Sequence, residues 1–141
     1  SDEEFVEYVH SCDELLNSLN EALEQKDAEA LYIEGCYQEK RGNFDAAFAL
    51  YEEAASRDSL SGMCALAFLY YRGQGEPCNY DKAHMYWGYC CERGHRGSYY
   101  WLGMLLLDTN YNGCDRDLAL KYLIKAAALG NEQAKQKLRE L

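Results

Sequence analysis

The sequence predicts an all-α chain: an α/α solenoid of three helical hairpins between an N-terminal and a C-terminal flanking helix. Three observations carry this. The 141 residues contain a single Pro, so the commonest helix breaker is nearly absent. They contain 13 Tyr, whose rings supply large packing surfaces with polar tips. Above all, the sequence matches itself when displaced by 36 residues, which takes Ala67 to Gly103, Ala83 to Ala119, Cys91 to Ala127 and Gly94 to Gly130. Displaced the other way, Ala83 falls on Ala47, Trp87 on Tyr51 and Cys90 on Ala54. Small residues meet small ones, and aromatics largely meet aromatics.

The elements follow in order. An amphipathic helix is expected over 3–25, with Phe5, Val9, Cys12, Leu15, Leu16, Leu19 and Leu23 as its apolar stripe. Hairpins are expected at 28–41/44–57, 60–72/80–93 and 96–107/115–129. Gly94 and Gly130 directly follow apolar stripes, where a helix end wants a left-handed residue. The tail 131–141 reads as a polar closing helix in which only Ala134, Leu138 and Leu141 are available to pack. The chain thus divides into 1–26, three units at 27–58, 59–94 and 95–130, and a cap at 131–141.

A helical hairpin cannot bury both of its faces alone, so neighbours stack and share a continuous core. Gly35, Ala47, Ala54, Ala67, Ala83, Gly103, Ala119 and Ala127 belong where helices approach closely. Phe44, Tyr51, Tyr80, Trp87 and Leu123 fill the space between hairpins.

The second unit carries Tyr71-Arg72-Gly73-Gln74-Gly75-Glu76-Pro77-Cys78-Asn79-Tyr80-Asp81-Lys82-Ala83, then Tyr86-Trp87 and Gly94-His95. This resembles a Sel1-like repeat of the TPR-like superfamily: a paired-glycine loop, D-x-x-K-A, an aromatic pair and a closing glycine. The third unit keeps Leu102-Gly103, Asp117-Leu118-Ala119, Tyr122, Lys125-Ala126-Ala127-Ala128 and Gly130, but has Asn112-Gly113 in place of the paired glycines. The first unit, with Gly42-Asn43-Phe44-Asp45-Ala46-Ala47, Tyr51 and Ala54, has the plain TPR form and a loop four residues shorter. The resemblance implies a right-handed solenoid of one TPR-like and two Sel1-like hairpins, acting as a protein–protein interaction scaffold or adaptor.

It also implies that a peptide lies along the concave face lined by the first helix of each hairpin. Carried over from the Gly35/Ala67/Gly103 positions, that face comprises Tyr32, Cys36 and Glu39, then Cys64, Phe68, Tyr71 and Arg72, then Tyr100, Met104, Leu107 and Asp108. The groove is apolar and aromatic and lacks the Lys/Asn/Arg set that clamps a terminal carboxylate. It suits a peptide or an amphipathic helix held by aromatic and Met anchors. The alternative is a structural segment of a larger repeat array, or a protein that self-associates through its ends.

Charge narrows the partner. The net charge of −10 argues against nucleic acid, which requires a basic stripe, and against an anionic membrane surface. It favours a basic protein segment. No apolar run reaches the roughly 18 residues of a membrane span, and Ser1-Asp2-Glu3-Glu4 is not a signal peptide. Seven Cys cannot all pair internally. Four of them, Cys36, Cys64, Cys90 and Cys91, lie in helical patterns, while Cys78 and Cys114 fall in loops, so a reducing, cytoplasmic setting is expected. In secreted relatives a cysteine near the end of one hairpin is bonded to one eight residues on. Here those positions are Ala55/Met63, Cys91/Tyr99 and Ala127/Lys135, none of them a Cys pair.

Catalysis and cofactors are not expected. None of Ser11, Ser18, Ser56, Ser59, Ser61 and Ser98 has Lys three residues on, which removes the Ser-x-x-Lys of a β-lactamase-like site. Cys91 and His95 could form a hydrolase dyad only if the helix continued past Gly94. There is no C-x-x-C and no second Cys/His cluster to complete a metal site. His10, His84 and His95 are scattered, and carboxylate pairs such as Glu3/Glu4 and Glu52/Glu53 read as solvated helix faces.

Overall fold

A computed structural model describes the backbone of residues 1–141 and the side chains of all but Leu23, Glu24 and Lys26. Among the described residues there are seven α-helices and no strand. They are α1 (Asp2–Lys40), α2 (Phe44–Ser56), α3 (Leu60–Arg72), α4 (Tyr80–Glu92), α5 (Arg96–Leu107), α6 (Arg116–Ala128) and α7 (Glu132–Glu140). Each packs on the next in sequence, and α1 also reaches α3. This is the stack of hairpins expected of an α/α solenoid.

α1 takes in both the expected N-terminal helix and the first helix of the first hairpin, as one 39-residue helix. The reason is local. The stretch Gln25-Lys26-Asp27-Ala28-Glu29-Ala30 contains neither Gly nor Pro, so nothing in it ends a helix. The helix opens on a capping box, with Ser1 Oγ accepting from the Glu4 amide and acids filling the first turn, where the helix dipole favours negative charge. Of the expected apolar stripe, Leu23 lies outside the described side chains; Phe5, Val9, Leu15, Leu16 and Leu19 are all exposed.

Capping recurs with the 36-residue period. Asn79 and Asp115 accept from the amides of Lys82 and Leu118 at the starts of α4 and α6. Ser59 and Asn131 accept from Gly62 and Ala134 at the starts of α3 and α7. His95 occupies the equivalent position at α5 but turns its ring to Ser98 instead, with Nδ1 2.9 Å from Oγ. An N-cap side chain contributes about 1 kcal/mol, so the period is written into the helix starts as well as the core.

The core runs along the stack. Tyr51, Leu66, Leu69, Trp87, Leu102, Leu105, Leu106 and Leu123 are fully buried large side chains. Trp87 packs against α3 and donates its indole N–H to the Cys64 carbonyl at 3.1 Å. Ala47, Ala54, Ala67, Ala83 and Ala119 are wholly inaccessible, consistent with close approach of helices. A Cβ built on Gly103 would lie 2.8 Å from Leu123 Cγ, and one on Gly35 would collide with the Tyr51 ring. Phe44 and Tyr80 are only partly buried. In the closing helix Ala134 is buried and Leu138 packs against the end of the core, but Leu141 stays exposed, so the expected third contact is absent.

The loop between α3 and α4 lies back on α2. Gly75 sits at φ +83°, and a Cβ there would stand 2.7 Å from the Phe44 carbonyl oxygen. Only glycine meets both conditions.

Candidate docking surface

The expected inward residues fall into three groups. Tyr32, Cys36 and Glu39 of α1 and Cys64 and Phe68 of α3 line one cleft of about 230 Å³, closed by Tyr51, Ser61, Ala65, His95 and Trp101. Tyr71 and Arg72 stand at the end of α3. Tyr100 and Met104 of α5 face α7 across a second, wider opening of about 570 Å³, whose other wall is Glu132, Gln133, Gln136, Lys137, Arg139 and Glu140. Leu107 is half-buried and packs on the core.

The aromatic wall of the first cleft is built by three rings. Phe68 meets Trp101 edge-on with centroids 4.6 Å apart, and Trp101 stacks on the core residue Trp87 at 6.2 Å and 15°. Arg72 covers the free side of Phe68, its guanidinium 4.2 Å from the ring centroid, a cation–π contact. Trp101 was not among the expected residues. It sits two positions before Gly103, where the second unit has Ala65, so the large residue leans across the gap the small one leaves. That exchange of volume was the available signal.

Polar groups in the cleft are few and largely engaged. Tyr51 donates its hydroxyl to Glu39 Oε2 at 3.1 Å. Burial first, then the Cys36 thiol, pushes the Tyr32 hydroxyl up to about 12 and the Tyr51 hydroxyl further in the same direction. Burial also raises the Cys64 thiol and lowers the His95 imidazole. At neutral pH the cleft therefore carries neutral hydroxyls, a neutral buried thiol, a neutral imidazole and one formal charge, on Glu39.

The end of α3 is tied internally. Tyr71 donates to Asp108 Oδ2 at 2.7 Å, while the other oxygen of Asp108 accepts from the Asn110 amide at 2.9 Å. These two expected contact residues are thus bonded to each other, bridging α3 to the end of α5. Burial and then Asp108 raise the Tyr71 hydroxyl above its ordinary value.

The Cys91/His95 pair is not organised as a dyad. His95 bonds Ser98, itself fully buried, and burial pushes the Cys91 thiol up to about 12, the opposite of what a thiolate nucleophile needs. Cys90, whose thiol burial raises to about 11, donates to the Leu60 carbonyl at 3.4 Å. All seven cysteines are free. Among the described residues no group of three or more His, Cys, Asp or Glu is placed to hold a metal, and no helix is long and apolar enough to cross a membrane.

No protein-family model and no curated protein matches the sequence. Solved structures do. The chain is similar to a protective antigen of uropathogenic Escherichia coli that displays an SLR fold, with a TM-score of 0.72 and 25% identity over 85% of this chain. It spans 27% of that protein's length. It is also similar to a Sel1 repeat protein from Oxalobacter formigenes, with a TM-score of 0.68 and 23% identity, covering 89% of this chain and 98% of that one.

Proposed function

We propose that the chain, whose fold is similar to that of Sel1-like repeat proteins, is an interaction scaffold. It docks a peptide or amphipathic helix of a partner protein on the face formed by α1, α3 and α5. The observation that supports this most is the first cleft. Five residues nominated by repeat register alone, Tyr32, Cys36, Glu39, Cys64 and Phe68, converge there with Trp101. At about 230 Å³ the cleft is smaller than the roughly 300–1,000 Å³ of small-molecule sites. It has room for one or two anchoring side chains of a longer ligand, the arrangement in which a few buried anchors carry most of the binding energy.

The chemistry of the anchors follows from the walls. An apolar or aromatic side chain packs against the wall that Phe68 and Trp101 form, and a neighbouring Lys or Arg of the partner meets Glu39. The chain's net charge of −10 speeds the encounter with a basic segment. The raised thiols and the neutral, engaged His95 favour this binding role over a catalytic one. A partner's aromatic anchor fits this surface without any reacting group.

The test is a selection of displayed peptides against the full chain. Enriched peptides should carry an apolar anchor beside a basic residue. Their binding should fall at least about tenfold, the ~1.4 kcal/mol of a lost anchor contact, in Ser61→Phe, which narrows the cleft. Binding should be unchanged in Glu52→Lys on the exposed side of α2. Melting curves establish that both variants are folded. Selected peptides that bind Ser61→Phe as well as the native chain would sink the proposal.

A further inference from the structure

We propose that the first half of α1 is a self-association seam, on which a second copy of this chain packs helix against helix. Every residue from Ser1 to Ala22 is exposed, and Ala28 is the first buried residue among the described side chains of α1. Those first five to six turns extend about 30 Å, at 1.5 Å per residue, with every side chain exposed. An isolated helix of such length is marginal in water, and helices gain most of their stability by covering an amphipathic face. Here the face is strongly apolar and uncovered.

Its spacing is specific. Phe5, Val9, Cys12, Leu16 and Leu19 are separated by 4, 3, 4 and 3 residues, the alternation of a two-helix seam in which each side chain inserts between those of a partner helix. Val6, Tyr8 and Leu15 flank that line and widen it. Apart from Cys12, these side chains are between 40% and 71% exposed. An apolar side chain of this kind yields 1.5–3 kcal/mol on burial at 25 cal/mol/Å², which corresponds to roughly 100 Å² each. The stripe therefore offers roughly 700 Å² per copy, close to the ≈800 Å² per partner of a stable, standard-sized interface.

The uncharged seam, rather than the overall charge, selects the occupant. Residues 1–22 contain seven Asp or Glu and no Lys or Arg. Glu3, Glu4, Glu7, Glu14 and Glu21 all fall on the side away from the seam, and Glu14 there pairs with His10 at 3.2 Å. A membrane surface is disfavoured, because interfacial helices rely on basic residues attracted to anionic lipid. Asp2, seven residues before Val9, continues the line at its N-terminal end and Asp13 lies at its flank, but from Phe5 to Leu19 the seam positions carry no carboxylate to hold a basic partner. A second copy presents the same uncharged stripe and carries its acids outward. The seam is thus complementary to itself. It is separate from the cleft between α1, α3 and α5, and its failure would leave that reading untouched.

The experiment is sedimentation velocity on the full chain from about 1 to 200 µM, with far-ultraviolet circular dichroism on the same samples. The native chain, 16.2 kDa as a monomer, should shift towards twice that mass as concentration rises, with helicity rising in step. Leu16→Glu removes one seam residue from each copy and should weaken the dimer at least about 100-fold, from two buried side chains at 1.5–3 kcal/mol each. The melting of the hairpin stack should be unaffected, since Leu16 does not touch it. Glu14→Lys, on the outer side, should dimerise like the native chain. A native chain that stays monomeric to 200 µM overturns the proposal and leaves the stripe to another protein or to a preceding repeat. So does a Leu16→Glu variant that dimerises as well as the native chain, or a Glu14→Lys variant that loses the dimer equally.

Discussion

Replacing Asp58 by glycine should stabilise the protein, and the structure says by how much. Asp58 has φ +64°, the one non-glycine residue with positive φ among the described residues. It closes α2 just as Gly94 closes α4 and Gly130 closes α6, at φ +78° and +95°. The three positions are 36 residues apart and make the same pair of bonds. Ser59 N–H donates to the Ala54 carbonyl at 3.1 Å and Asp58 N–H to Ala55 at 3.0 Å; the His95/Cys90 and Gly94/Cys91 pairs repeat this, each at 3.0 Å. An L-residue in the left-handed region costs about 1–2 kcal/mol, somewhat less for Asp. Glycine removes that strain but returns about 0.5–1 kcal/mol of backbone entropy to the unfolded chain. Two charge effects oppose each other, since Asp58 stands at the unfavourable end of α2 and the favourable end of α3. Among the described residues the exposed side chain makes no hydrogen bond to be lost. The net gain is about 0.5–1 kcal/mol. With an unfolding entropy of about 2.1 cal/mol/K per residue this raises the melting temperature by roughly 2–3 °C. Thermal melts at 222 nm measure it, with Asp58→Ala as the comparator, which keeps the strain and should melt below the native protein. A glycine variant that melts at or below the native temperature, or an alanine variant above it, would refute the account.

Gly103→Ala places a Cβ 2.8 Å and 2.9 Å from Leu123 Cγ and Cδ2, against a fully buried side chain; after a helix-propensity gain of up to about 1 kcal/mol, overpacking should still cost about 1–2 kcal/mol in a urea melt. Tyr71→Phe removes the 2.7 Å bond to Asp108 and should cost about 1–2 kcal/mol, measured the same way; a variant that keeps its stability yet loses a selected peptide would make Tyr71 a contact residue instead. Because burial lowers the His95 imidazole below its ordinary value of about 6.5, the folded chain binds that proton less readily than the unfolded one. Stability should therefore be complete above about pH 6.5 and fall as pH drops through the lowered value, and melts from pH 7 to 5 should show a shallower fall in His95→Gln.

The helices were legible because each is marked twice, by its stripe and by its ends. Asn79, Asp115, Ser59 and Asn131 sit where helices begin, and Gly94 and Gly130 where they end, so the expected hairpins lie within a residue or two of the observed ones. The exception is instructive. The break expected between residues 25 and 28 rests on the period alone, with no capping pair or glycine to enforce it, and α1 runs straight through. A period says where units repeat; only a terminator says where a helix stops. For the candidate site, register brings Tyr32, Cys36, Glu39, Cys64 and Phe68 to one cleft, because residues at equal offsets from Gly35 and Ala67 share a direction. It could not show that Tyr71 and Asp108, 37 residues apart, spend their polar atoms on each other.

What register misses is compensation between units, and the loops show how it works. Gly75 lies against Phe44 and Phe48 of α2. Displaced by 36 residues, the same three positions are Tyr111, Tyr80 and His84. There the contact is kept with the volumes exchanged: Tyr111 is buried, its ring 5.8 Å from those of both Tyr80 and His84, and its hydroxyl lies 2.8 Å from His84 Nδ1. A glycine that lets the backbone approach in one unit becomes a tyrosine that reaches across in the next. The same exchange puts Trp101 opposite Ala65, and it is Trp101 that gives a regular stack an aromatic cleft on this face. The repeat conserves the joint between hairpins, not the residue that fills it. Where two units fill the joint differently, the stack acquires the irregularity that a specific partner can recognise.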